Sequence, residues 1–178
     1  MFSSEEKVVA ALAELGRRLH EREIEAELYL VGGGAMLLGY NRAVVTSDLD
    51  GVYAPQEVID EIADEMADEN VPFPLIRGWL NDKVVAILPR VHDSRAWQAF
   101  NVPGLSVLIA SPEHLLAMKA RAARGLRDFI DVAVLADTLG FTRLDQVWKT
   151  GEDVWGIDVF SPEVKAELEE FLKTRGLK

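Results

Sequence analysis

Two aspartates one residue apart, Asp48 and Asp50, are the side chains in this sequence best suited to chemistry. Side chains alternate along an extended segment, so both would project from one face while Leu49 turns to the other. Their Cα atoms would then lie ~6.5 Å apart, close enough for two carboxylates to share one cation. Hard oxygen donors of this kind suit Mg²⁺, which completes its shell with waters and substrate phosphates. Upstream, Leu30-Val31-Gly32-Gly33-Gly34-Ala35-Met36 runs from an apolar segment into three glycines, with Arg42 and Thr46 between them and the aspartates. The glycines would turn a strand into a helix and let backbone N–H groups approach a phosphate chain. Together these are the parts of metal-dependent nucleotidyl transfer, in which cations offset phosphate charge and orient a leaving pyrophosphate. Each has a plainer reading alone. A triple glycine also makes a tight strand-to-helix corner, and Asp-Leu-Asp-Gly also ends a strand in solvent. A dinucleotide fold is discounted, because the Gly-x-Gly-x-x-Gly spacing is incomplete.

The elements that must hold these residues follow from periodicity. Ser3 and Glu6 fit a capping box before Val8, Leu12, Leu15 and Leu19, which predicts a helix over 4–21. A strand is expected over 27–31, a short helix over 35–39 and a strand over 43–53. Pro55 opens an acidic helix over about 55–68, with Val58, Ile62 and Met66 on its apolar side. Residues 77–88 read as a short strand followed by a helical turn carrying Asn81 and Asp82, and 89–103 as a loop. A buried strand is expected over 105–110. Ser111-Pro112-Glu113 then caps a helix, further helices cover about 126–139 and 142–154, and Ser161-Pro162-Glu163 starts a last one. The expected architecture is an α/β core over 1–110, with a helical region over 111–178 packed on it as one unit.

The succession Gly32-Gly33-Gly34-Ala35-Met36, Arg42, Thr46-Ser47-Asp48-Leu49-Asp50 resembles the nucleotidyltransferase superfamily with its polymerase-beta-like fold. The signature of that superfamily is an apolar residue, Gly-Gly or Gly-Ser, a short helix, then Asp-apolar-Asp. More narrowly, it is similar to the branch of AbiEii/AbiGii-type toxins and their bacterial relatives. Ala110-Ser111-Pro112-Glu113-His114-Leu115-Leu116-Ala117-Met118-Lys119, then Arg124, Arg127-Asp128 and Asp131, resembles that branch's downstream helical motif, and Trp79-Leu80-Asn81-Asp82 a further element of it. The likeness covers about residues 28–138. It implies a small mixed sheet flanked by helices, with Thr46, Asp48, Lys119 and Asp128 or Asp131 as the catalytic group. Asp48 and Asp50 would hold Mg²⁺; Gly32, Gly33, Gly34, Arg42, Thr46 and Lys119 would bind an NTP. The acceptor it implies is an RNA 3′ end, in a toxin–antitoxin setting with an antitoxin partner. Many members carry a third carboxylate on a later strand, whereas 84–88 and 105–110 contain no acid, and Asp82 is the nearest substitute.

Composition bounds the remaining choices. At 178 residues with 49% apolar residues, the chain is long enough for a real core. A net charge of −11 argues against a general nucleic-acid binder, although Lys119–Arg127 is a local basic stretch. The counterpart is Glu57–Glu69, with seven carboxylates and no base, which reads as a solvated helix face or a dock for a basic partner. No run is long and apolar enough for a membrane span, no leader is evident, and there is no Cys, so a cytoplasmic protein is expected. His20, His92 and His114 lack metal-ligand spacing and receive no role, and the four tryptophans are assigned to packing. The leading reading is transfer of a nucleoside monophosphate to an acceptor on RNA, protein or a small molecule. The alternatives are a catalytically weak binding module or complex subunit, and a phosphohydrolase.

Overall fold

Leu12, Leu15 and Leu19 recur at helical spacing and are fully buried along α1 (Glu5–Glu21). Burying each contributes about 1.5–3 kcal/mol, more than the ~1 kcal/mol of a good N-cap. The helix does without that cap. Ser4, not Ser3, takes the N-cap position and makes no capping bond; its hydroxyl binds Glu6 instead and holds that carboxyl below its usual range. The computed structural model describes residues 1–42, 45–123, 125–156 and 160–178. Two compact units make up the chain, residues 1–87 with 96–110, and residues 88–95 with 111–178.

The first unit is mixed α/β. Its strands are β1 (Ala26–Val31), β2 (Leu49–Ala54), β3 (Leu80–Asn81), β4 (Trp97–Val102) and β5 (Leu105–Ile109), in the order β3-β2-β1-β5-β4. β1 runs antiparallel to β2 and parallel to β5, β3 is parallel to β2, and β4 is antiparallel to β5. α1 packs on both α2 (Gly32–Gly39) and α3 (Gln56–Glu69), and all three pack on the sheet. The strand residues on that side, among them Leu28, Leu30, Leu49, Val107 and Ile109, are buried. Ile59, Ile62 and Met66 form the inner stripe of α3. Carboxylates of its acidic side pair within the chain: Arg18 reaches Glu69 at 2.5 Å, Arg22 reaches Glu65 at 2.6 Å, and Arg77 reaches Asp64 and Asp68.

Two further expectations needed correction. β2 begins at Leu49 rather than 43, because Thr46 is drawn into an isolated antiparallel bridge with Phe2 that bends the chain before the aspartates; Ala43 and Val44 lie outside the described residues. The segment expected as a loop contains β4, an edge strand whose side chains are mostly exposed or half-exposed, so its sequence lacks the alternation that marks a half-buried strand.

The second unit is helical: α4 (Pro112–Ala122), α5 (Leu126–Thr138), α6 (Leu144–Trp155) and α7 (Pro162–Thr174). α4 packs against the other three. Ser111 and Ser161 cap α4 and α7 as expected, each accepting a backbone N–H three residues on at 3.2 Å, with proline at the first helical position. Trp155 donates to the Ala117 carbonyl on α4, and Trp148 stacks edge-on against Phe160. No helix among the described residues is long and apolar enough to cross a membrane.

Candidate functional site

The residue that follows β1 and opens α2 has a backbone that glycine adopts most readily. Gly32 has φ +64°, and a Cβ there would lie 3.2 Å from Asp50 Oδ2. The Asp50 carboxylate is therefore seated against the glycine corner, where Val31 and Asp50 are antiparallel partners. α2 starts at that corner with no side chain capping it, so its first N–H groups point out of the helix end. Gly34 faces the core, where a Cβ would come 2.7 Å from Leu49 Cδ2.

Asp48 precedes β2, so strand alternation alone does not fix its direction. Asn81 does. It is the parallel partner of Asp50, which puts both side chains on one face, and its Nδ2 lies 3.4 Å from Asp48 Oδ2. Asp48 and Asp50 thus share the face opposite the helices. Ser47 donates to Asp48 Oδ1 at 2.9 Å, and the buried Thr46 hydroxyl donates to the Asp48 carbonyl at 3.1 Å. Arg42 lines a pocket of about 220 Å³ at the start of α1, with Ser3, Glu6 and Asn41. Asp82 does not stand in for a third strand carboxylate: its Oδ2 accepts from Gln56 at 2.7 Å, at the first residue of α3. Asn81 occupies the position beside Asp50 instead.

Among the described residues no cluster of three or more His, Asp or Glu is arranged for a metal ion. Asp48 and Asp50 are two hard oxygen donors on one face at a partly exposed sheet end. That set fits Mg²⁺, which commonly takes one or two protein carboxylates and fills its shell with phosphate and water.

In the second unit, Lys119, Asp128 and Asp131 come together. Lys119 Nζ lies 2.8 Å from Asp131 Oδ2 and 3.3 Å from Asp128 Oδ1, at the packing of α4 on α5. Lys119 is 8% exposed, Asp128 4% and Asp131 0%. Lys119 is accordingly neither a surface lysine nor part of a continuous basic strip. Arg121 stacks over Trp155 at 4.1 Å, Arg127 is exposed, and Arg124 lies outside the described residues. The Lys119 pairing needs α4 and α5 to cross, which helical spacing within α5 cannot reveal.

A group that sequence reading left without a role surrounds His114, whose side chain is buried. Its Nδ1 is 3.3 Å from Asp93 Oδ1 and 3.4 Å from Ser111 Oγ, and its Nε2 is 3.1 Å from the Val91 carbonyl. Asp93 Oδ2 also accepts the Ser111 N–H at 2.8 Å. This is not a nucleophilic triad. Serine and aspartate meet the same ring nitrogen, and the other is committed to a carbonyl, so no nitrogen is left to relay a proton. The cluster ties residues 91–93 to the start of α4, beside a cavity of about 460 Å³ lined by Arg95, Glu113, Phe141 and Asp153 among others. Only the histidine, three residues after a Ser-Pro cap, hinted at it in the sequence.

No family model and no curated protein matches the chain. Among solved structures, the chain is similar to the crystal structure of an antigenic nucleotidyltransferase-like protein from Paracoccidioides brasiliensis, with 16% identity and a TM-score of 0.49, over 97% of this chain and 90% of that one.

Proposed function

We propose that the chain is a Mg²⁺-dependent nucleotidyltransferase that moves a nucleoside monophosphate from an NTP to an acceptor hydroxyl. The observation that carries this reading is the seating of the Asp50 carboxylate against the Gly32 corner, with Asp48 on the same face. Asp48 and Asp50 would hold the cation. Bound there, Mg²⁺ offsets phosphate charge and orients the departing pyrophosphate. Uncapped N–H groups at the start of α2, from Gly33 and Gly34 onward, would bind phosphate oxygens. The Thr46 hydroxyl holds the bend that presents Asp48, and Arg42 would assist in nucleotide binding. Lys119, Asp128 and Asp131 pair with one another in the second unit, and it is the sequence resemblance alone that gives them a part in transfer. From the sequence resemblance, the acceptor would be an RNA 3′ end and the partner an antitoxin.

Incubation with each α-labelled NTP, Mg²⁺ and RNA, protein or small hydroxylated acceptors tests the reading. Wild type should form a labelled adduct, and Asp48→Asn or Asp50→Asn should lower the rate about 10²–10³-fold, the cost of losing one strong electrostatic stabiliser. A second reading, a catalytically weak binding module, is favoured by one observation: an amide, Asn81, stands where a third carboxylate would complete the site. Nucleotide binding without transfer to any acceptor would select it.

A further inference from the structure

Asn81 sits on the two-residue strand β3, which its neighbours hold firmly in place. The Leu49 N–H donates to the Trp79 carbonyl at 2.6 Å, and the fully buried Trp79 ring anchors through Nε1 to the Ala63 carbonyl at 2.9 Å. Asn81 is 7% exposed, and a buried amide must find partners for both its carbonyl and its NH₂. The Lys83 backbone N–H, 3.2 Å away, can only donate, so the atom facing it is Oδ1. The NH₂ is thereby turned toward two acceptors, Asp48 Oδ2 at 3.4 Å and the Gly78 carbonyl at 3.5 Å. At those lengths the bonds themselves are weak. What matters is that a donor, and not another carboxylate oxygen, faces Asp48.

We propose that Asn81 is a positioning residue that steadies the Asp48 carboxylate when no cation is present and keeps the site at two carboxylates. This rests on the nucleotidyltransferase reading only in taking Asp48 and Asp50 as cation ligands. Asn81→Asp, which preserves shape, would turn an oxygen toward Asp48 Oδ2 and the Gly78 carbonyl. That arrangement is repulsive unless a divalent cation lies among the carboxylates.

Mn²⁺ titration of the nucleotide-free protein, followed by electron paramagnetic resonance, and metal-free thermal melts test the proposal. Asn81→Asp should bind Mn²⁺ about tenfold more tightly, since affinity follows ligand charge, and should melt lower than wild type without metal. Asn81→Ala should bind about tenfold more weakly, as outer-sphere losses do. The exchanged pair Asp48→Asn with Asn81→Asp should recover the metal-free melting temperature, because donor and acceptor have changed places. Wild-type Mn²⁺ binding that neither single variant alters overturns the proposal. If wild type binds no Mn²⁺, the cation-site reading fails, and the metal-free cycle then decides Asn81 alone: recovery retains its hold on Asp48, and strictly additive losses overturn it.

Discussion

Asp48 with Asp50 in the first unit and Asp128 with Asp131 in the second are carboxylate pairs of similar spacing, furnished differently. Asp128 and Asp131 are three apart on α5, buried, with the Lys119 ammonium 2.8–3.3 Å away. Asp48 and Asp50 are two apart at a strand mouth, half-exposed, and the side-chain donors on Asp48 are a hydroxyl and an amide. A cation supplied by the chain makes the first pair part of folding. On Asp48 a hydroxyl and an amide hold the carboxylate without neutralising it. Two carboxylate pairs of similar spacing thus differ in burial and in the charge of the groups against them, and on the proposed function only the exposed pair is placed to take up a cation.

The largest effect expected from this contrast lies in the second unit. Lys119→Met keeps the length of the side chain but leaves Asp128 and Asp131 buried without its charge, which should cost about 3–5 kcal/mol in urea unfolding. Asp48→Asn, by contrast, gives up an exposed hydroxyl bond and a 3.4 Å amide contact and should cost less than about 1 kcal/mol without metal. A loss below about 1 kcal/mol for Lys119→Met, the range of a solvated pair, would erase the distinction.

Next comes the glycine corner. At φ +64°, an alanine at position 32 should cost about 1–2 kcal/mol from its left-handed backbone, and its Cβ would press on Asp50 Oδ2 at 3.2 Å. Gly140→Ala is the matched control, with φ +69° and nothing within 4 Å of the new Cβ. Both variants should melt lower, whereas only Gly32→Ala should weaken nucleotide binding. Equal behaviour in a binding titration would mean that the corner does not brace the carboxylate.

What could be read in the sequence was what local chemistry encodes. The Ser-Pro caps of α4 and α7, the apolar stripe of α1, and the glycines running from β1 into α2 each express themselves within a few residues. So did Asp48-Leu49-Asp50, where Leu49 turns into the core and both acids face away from it. The residues that escaped depend on partners far along the chain. Asn81 matters because β3 lies beside β2, thirty residues upstream, and nothing around Leu80-Asn81-Asp82 says which of Asn81 and Asp82 will face Asp50. Lys119 finds its carboxylates only once α4 crosses α5. β4 was missed for a different reason: as an exposed edge it buries no consistent face, so no period of two appears.

The smallest expected effect lies on α1, where water reaches the charges and the contrast between the two aspartate pairs can be calibrated. Arg17 donates to both oxygens of Glu14, at 2.8 and 2.7 Å, and this, with Arg18 beside it, holds the Glu14 carboxyl down at about 2 from its usual 4.5. A carboxylate with a folded pKa below its unfolded one stabilises fully above the unfolded value. That stabilisation disappears as pH falls through the folded value. Arg17→Met should therefore lower stability by a small amount that is constant from neutral pH to about 4.5, then shrinks toward zero as pH approaches about 2. Melting wild type and variant in parallel across that range measures the difference directly. A gap of the same size at pH 2 and pH 7 would trace the effect to the packing of the arginine stem, and would make exposed charge on this helix irrelevant to its stability.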